Sequence, residues 1–145
     1  MKHAIVCSML LTILAAASLQ AQPTDANYPD WLKGKLADIA DVKAAPEKRT
    51  AARDEVIKSV TLEQIARAGE LARQILPAMN SQDAATSTYA CQIAANVRHV
   101  YLVPTLTEGL KSSQATVRYW SAKGLAGLQV SMMGMGGDEY FDKPV

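Results

Sequence analysis

Residues 102–128 (LVPTLTEGLKSSQATVRYWSAKGLAGL) repeat the apolar rhythm of residues 71–97 (LARQILPAMNSQDAATSTYACQIAANV) at an offset of 31 positions. The shift carries Leu71 onto Leu102, Ile75 onto Leu106, Met79 onto Leu110, Ala84 onto Ala115, Tyr89 onto Trp120 and Val97 onto Leu128. A period of that length holds two short helices and a turn. One such pair cannot bury its apolar side alone, so pairs of this kind stack on one another. The repeat predicts an all-α chain, an α-solenoid of antiparallel helix pairs with about six helices. It predicts no reaction.

The chain opens like an export signal. Lys2 and His3 precede an apolar run over residues 4–17 (AIVCSMLLTILAAA), and small residues follow up to Ala21, the expected cleavage position. A spanning helix needs about 20 predominantly apolar residues. This run is shorter and carries Ser8 and Thr12, so a cleaved signal over residues 1–21 is expected rather than a membrane anchor. Cys7 lies before the run is complete, which is the wrong place for a lipoprotein cysteine. The expected location is exported, periplasmic or extracellular, with no stable membrane anchor after cleavage.

About 124 residues then remain, enough for one domain with a core of its own. Lys2 leaves with the signal, so the mature chain carries 14 basic and 14 acidic side chains. That balance gives no electrostatic case for nucleic acid. Cys91 becomes the only cysteine, which excludes an intramolecular disulfide and suits a small apolar filler.

Residues 22–29 read as a polar, flexible leader to a helical repeat domain over residues 30–129. Asp30 is a plausible N-cap for a first helix reaching Val42, with Leu32, Leu36 and Ile39 on one face. Pro46 suits the first turn of a second helix reaching Val60. Val56, Ile57 and Val60 form its buried stripe, while Lys48, Arg49, Arg53, Asp54 and Glu55 read as a solvated face. Thr61 and Gln64 form a capping-box pattern opening a third helix, with Leu62, Ile65, Ala66, Gly69, Ala72, Ile75 and Leu76 as its stripe. Pro77 is expected to kink or end that helix. Residues 84–97 read as the cleanest helix, striped by Thr86, Tyr89, Ala90, Ile93, Ala94 and Val97. The matching stripe in the second copy is Val117, Trp120, Ser121, Gly124, Leu125 and Leu128, with large residues set opposite small ones. Residues 130–145 read as a Gly/Met-rich irregular tail.

The run Val103-Pro104-Thr105-Leu106, Leu110, Val117-Arg118, Ser121 and Gly124-Leu125 resembles a HEAT or HEAT-like (phycobilisome-lyase type) repeat. Arg118 stands at the family arginine, Val117 and Leu125 at its core positions, and Ser121 where alanine is usual. The preceding copy has Thr86-Ser87 where Val-Arg is expected. Such repeats serve as scaffolds, inhibitors and enzyme accessories. The resemblance thus implies a non-enzymatic binding or scaffold module for a protein or peptide partner. An enzyme or enzyme accessory of chromophore-lyase-like type, or a fragment of a larger exported repeat protein, is the alternative.

Chemistry-bearing residues are sparse. His99 is the only histidine left after processing, which excludes His-based triads and His-pair metal sites within one chain. A helix-end position beside the negative terminus suits it. Met132, Met133 and Met135 offer thioether sulfurs without an accompanying His or Cys, and apolar contact is the simpler role. Glu63 and Glu70 lack apolar surroundings that would tune a catalytic pair. No catalytic residue, metal or cofactor is therefore assigned. The partner-contact candidates are Arg118, Tyr119 and Lys123 on the second helix of the better-matched repeat, with Tyr119 and Lys123 four apart on one face. Trp120 reads as core packing.

N-terminal sequencing of the protein from the extracytoplasmic fraction should begin at Gln22. An intact Met1 in that fraction would contradict the export reading.

Overall fold

A computed structural model describes residues 23–136. Its described residues form six α-helices and no strand: α1 (Tyr28–Ala40), α2 (Pro46–Lys58), α3 (Ile65–Met79), α4 (Ala84–Val97), α5 (Val103–Gly109) and α6 (Ala115–Gly136), with a 3-10 turn at Val100–Leu102. The expected all-α class is correct. The signal over residues 1–21 and the last nine residues of the tail lie outside the described residues.

Local chemistry moves several expected boundaries. α1 starts at Tyr28 because Pro29 fits its first turn, so Asp30 lies inside that turn rather than at the cap. Part of the expected flexible leader is held in place. Pro23 is buried, and Arg67 binds both its carbonyl and the Asp25 carboxylate. Half of the capping box forms, with the Thr61 amide donating to Gln64 Oε1 at 2.9 Å. The Thr61 hydroxyl makes no cap, and α3 begins only at Ile65. Residues 61–64 are therefore not helical, and Leu62 and Ile65 are exposed instead of striping the core. The buried stripe of α3 is Ala68, Leu71, Ile75 and Met79. Pro77 neither ends nor breaks α3; it sits exposed in the last turn, where the helix has almost finished. α6 continues to Gly136, so the irregular tail expected from residue 130 is helical over its first seven residues. Methionine is a good helix former, and each glycine there costs only about 1 kcal/mol relative to alanine.

α4 occupies the middle, packed against α1, α2, α3, α5 and α6. Ala90, Cys91, Ile93 and Ala94 on it are fully buried, and Ala95 nearly so. Small side chains are what a helix with neighbours on several sides requires. A Cβ added to Gly124 of α6 would lie 2.8 Å from the Ala95 Cα and 3.0 Å from Leu106 Cδ1. The expected large-against-small pairing is present here. The repeat offset also preserves burial: Leu71 and Leu102, Ile75 and Leu106, and Val97 and Leu128 are all buried. Leu110 breaks the match with buried Met79 because α5 ends one residue earlier, leaving it exposed. Leu125 is only half-buried; the α6 stripe centres on Val117, Ser121, Gly124 and Leu128.

At three joints a side chain of a following helix closes the carbonyl end of the helix before it, and at a fourth an arginine braces the connecting turn. Arg49 of α2 donates from Nε to the Ile39 carbonyl of α1 at 2.8 Å. Arg67 of α3 donates to the Ser59 carbonyl at the end of α2 at 3.0 Å. Ser87 of α4 donates to the Met79 carbonyl of α3 at 2.7 Å. Arg118 of α6 donates to the Ser112 and Ser113 carbonyls beyond α5, each at 2.8 Å. The Ile39, Ser59 and Met79 oxygens are among those a helix terminus leaves without intrahelical partners. The solvated-face reading of residues 48–55 is therefore wrong for Arg49. It is 7% exposed, and its Nη2 also donates to Asp83 Oδ2 at 2.7 Å and Thr86 Oγ1 at 2.8 Å.

Asp83 caps α4 by accepting the Thr86 amide. The Thr86 hydroxyl, then the Arg49 guanidinium, hold its carboxyl at about 2 against an ordinary 3.8. The folded value is the lower one, so this contribution is present above the unfolded value and is lost as pH falls through the folded one. Asp83→Asn should be less stable than wild type at neutral pH, and the gap should close as pH drops from about 4 to about 2. Thermal melts across that range measure it. Urea denaturation should show Gly124→Leu losing about 1–3 kcal/mol through overpacking. Ser121 Oγ is buried without a hydrogen-bond partner among the described residues, so Ser121→Ala should gain about 1 kcal/mol.

Candidate functional site

Side chains from α2, α4 and α6 line a shared groove of ≈ 560 Å³. Arg53, Asp54 and Ile57 line it from α2, Gln92 and Asn96 from α4, Trp120 from α6, and Arg98 from the end of α4. Steps of three and four put Ile57 on the same side of α2 as Asp54 and Arg53, and Asn96 on the same side of α4 as Gln92. Arg53 Nη1 donates to Gln92 Oε1 at 2.7 Å, and its Nη2 pairs with Asp54 at 2.7 Å. Its guanidinium also lies 5.6 Å from the Tyr89 ring centre, which Arg49, one turn earlier on α2, approaches at 5.4 Å. Asn96 donates to the Gln92 carbonyl at 2.7 Å.

Arg98 differs from the other groove cations. It ends α4 in the left-handed region, at φ 50° and ψ 44°, the single positive-φ residue among those described. That conformation costs a non-glycine residue roughly 1–2 kcal/mol. Its guanidinium makes no hydrogen bond or ion pair with another described residue, and its Nε comes 3.6 Å from where a Gly127 Cβ would stand.

The three expected contact residues have different settings. Arg118 is exposed but engaged with the Ser112 and Ser113 carbonyls. Tyr119 is 60% exposed and meets Trp120 edge-on at 5.4 Å. Lys123 places Nζ 4.5 Å from the Trp120 ring centre. Trp120 was expected to be packing alone. It is half-buried, touching the core on one side and lining the groove on the other. Tyr119 and Lys123 thus surround the groove's aromatic wall, while Arg118 points to the joint.

The sequence places Arg53 on a solvated face and marks no role for Gln92, Asn96 or Arg98. The 31-residue register held part of the signal, since it carries Tyr89 onto Trp120, Gln92 onto Lys123 and Asn96 onto Gly127. Nothing in the pattern marks Arg98, because its importance lies in a backbone conformation.

Other chemistry-bearing residues do not converge. His99 is 4% exposed, and its Nδ1 accepts the Tyr101 amide at 3.3 Å. It therefore caps the following 3-10 turn rather than the end of α4. Cys91 is buried, and burial pushes its thiol up to about 11, which fits an inert filler. Glu70 bonds to Arg73 and Gln74, and Glu63 is exposed apart from it. The side chains of Met132, Met133 and Met135 lie outside the described residues. No group of three His, Cys, Asp or Glu side chains among the described residues could hold a metal. A second groove, ≈ 420 Å³, lies between α1 and α3, with Leu36, Ala40, Pro77 and Ala78 in its wall.

No family model, no curated protein and no solved structure matches the chain.

Glycine occupies the left-handed region without the steric cost that arginine bears there. Arg98→Gly should therefore leave stability unchanged or raise it by about 0.5–1 kcal/mol. Thermal and urea unfolding measure this; a clear loss would show that the side chain holds the fold.

Proposed function

We propose that the mature chain is an exported, non-enzymatic binding or scaffold module for a protein or peptide, built as an α-solenoid of three HEAT-like helix pairs. The pairs are α1 with α2, α3 with α4, and α5 with α6. Two features support this architecture. α2 packs on α4 and α4 on α6, while α1 packs on α3. The 31-residue offset carries not only buried positions but a joint: Ser87 falls on Arg118, and each closes the turn before its own helix.

The groove shared by α2, α4 and α6 carries the functional reading. It is open and mixed in polarity, and it offers amide, guanidinium and aromatic groups without a gathered nucleophile, base or metal set among the described residues. Such a surface suits contact through several weak groups rather than bond-making chemistry. Export rests on the N-terminal pattern alone. No described helix is long and apolar enough to cross a membrane.

Tyr119→Ala combined with Lys123→Ala should leave the melting temperature unchanged, since both side chains are exposed. The double variant should retain less of the partner that wild type captures from the exported fraction. Equal capture by both proteins would place the contact face elsewhere, and turnover of a substrate by the purified chain would replace the module reading with an enzymatic one.

A further inference from the structure

We propose that the groove between α2, α4 and α6 receives an extended acidic peptide segment, its Glu or Asp carboxylate on Arg98 and an apolar side chain between Ile57 and Trp120. The assignment rests on the binding-module reading and gives its partner a chemistry. Arg98 supplies the first argument. It lines the groove with a guanidinium that no described residue engages, held on a left-handed backbone that glycine would adopt at lower cost. A guanidinium fork matches a carboxylate with two parallel hydrogen bonds.

Charge balance supplies the second. Arg53 and Arg98 line the groove, and Lys123 stands at its rim over Trp120. The single carboxylate in the lining, Asp54, is already paired with Arg53 at 2.7 Å. What remains is positive, and its complement is an anion.

The third argument selects a peptide over a small anion. Gln92 and Asn96 stand four apart on α4. Gln92 Oε1 accepts from Arg53 and Asn96 Nδ2 donates to the Gln92 carbonyl, leaving Gln92 Nε2 and Asn96 Oδ1 without partners among the described residues. One donor and one acceptor side by side suit the carbonyl and amide of an extended main chain. Ile57 and Trp120 form apolar walls that a bare carboxylate would leave unused. The groove has room for a short segment and none for a folded domain.

The test is a titration of the isotope-labelled protein followed by its amide and indole NMR signals. The probes are the capped pentapeptide Ac-Leu-Ser-Glu-Ser-Leu-NH2, its Gln counterpart, and succinate. The Glu peptide should shift the Trp120 indole and the α4 amides, and bind roughly five-fold or more tightly than the Gln peptide. Arg98→Gly, chosen because it suits the backbone, should bring that ratio near one while the other signals stay in place. Equal binding of the Glu and Gln peptides overturns the proposal, as does a preference that survives in Arg98→Gly. Succinate producing the same shifts at the same concentration would make this a small-anion site and overturn the peptide assignment. Absence of shifts at Trp120 and α4 overturns it too. The exported-fraction capture is read separately, so the broader module reading can stand when the groove assignment falls.

Discussion

The fold depends on how helix ends are closed. A helix leaves its last carbonyls unpaired, and a joint packed inside the protein hides them from water. In this chain the following helix supplies the donor. Arg49 reaches back to Ile39, Arg67 to Ser59 and Ser87 to Met79, while Arg118 braces the exposed turn beyond α5. The two most buried arginines do more. Arg49 also binds Asp83 and Thr86, coupling the end of α1 to the start of α4, while Arg67 pins Pro23 and Asp25 and lies over the Tyr28 ring. Each buried guanidinium is matched by acceptors from separate elements, the condition under which such burial is tolerated.

With the joints closed, α4 can be enclosed. Its small buried residues let α6 approach until Gly124 touches the Ala95 backbone region, and the same thinness lets α2 lie on its other flank. The groove follows from that arrangement. Three helices laid side by side leave a channel between their exposed strips. The short reach of Ala and Gly at the contacts keeps the strips near enough for Arg53 to bond Gln92 across helices. Core and groove are therefore two sides of α4. Its inner side carries Ala90, Ile93 and Ala94, and its outer side carries Tyr89, Gln92 and Asn96.

Apolar periodicity made much of this legible from the residues alone. The helix starts at Ala84 and Ala115, the close approach at Gly124 and the filler role of Cys91 all follow from spacing and residue size. Charge patterning misled where long side chains were involved. Arg49 sits in a run that looks solvated, yet a guanidinium is buried when three acceptors from distant segments surround it, and those acceptors are invisible to a local window. Leu62 and Ile65 misled in the opposite sense, since the turn over residues 61–64 delays α3 and leaves both on the outside. The groove was half legible. Lys123 and Tyr119 announced themselves by type and spacing, whereas Arg98 depends on a left-handed backbone and Trp120 divides its surface between core and groove.

The claim that reaching-back donors hold the helices together is tested most directly by urea denaturation of Arg49→Met beside Arg53→Met. Methionine keeps much of the apolar volume and removes the donors. The account predicts a loss of about 2–3 kcal/mol for Arg49→Met, because the Ile39 carbonyl and the Thr86 hydroxyl lose a buried donor. It predicts about 1 kcal/mol or less for Arg53→Met, whose partners stay within reach of solvent. Losses of equal size, or an Arg49→Met protein within about half a kcal/mol of wild type, would contradict it.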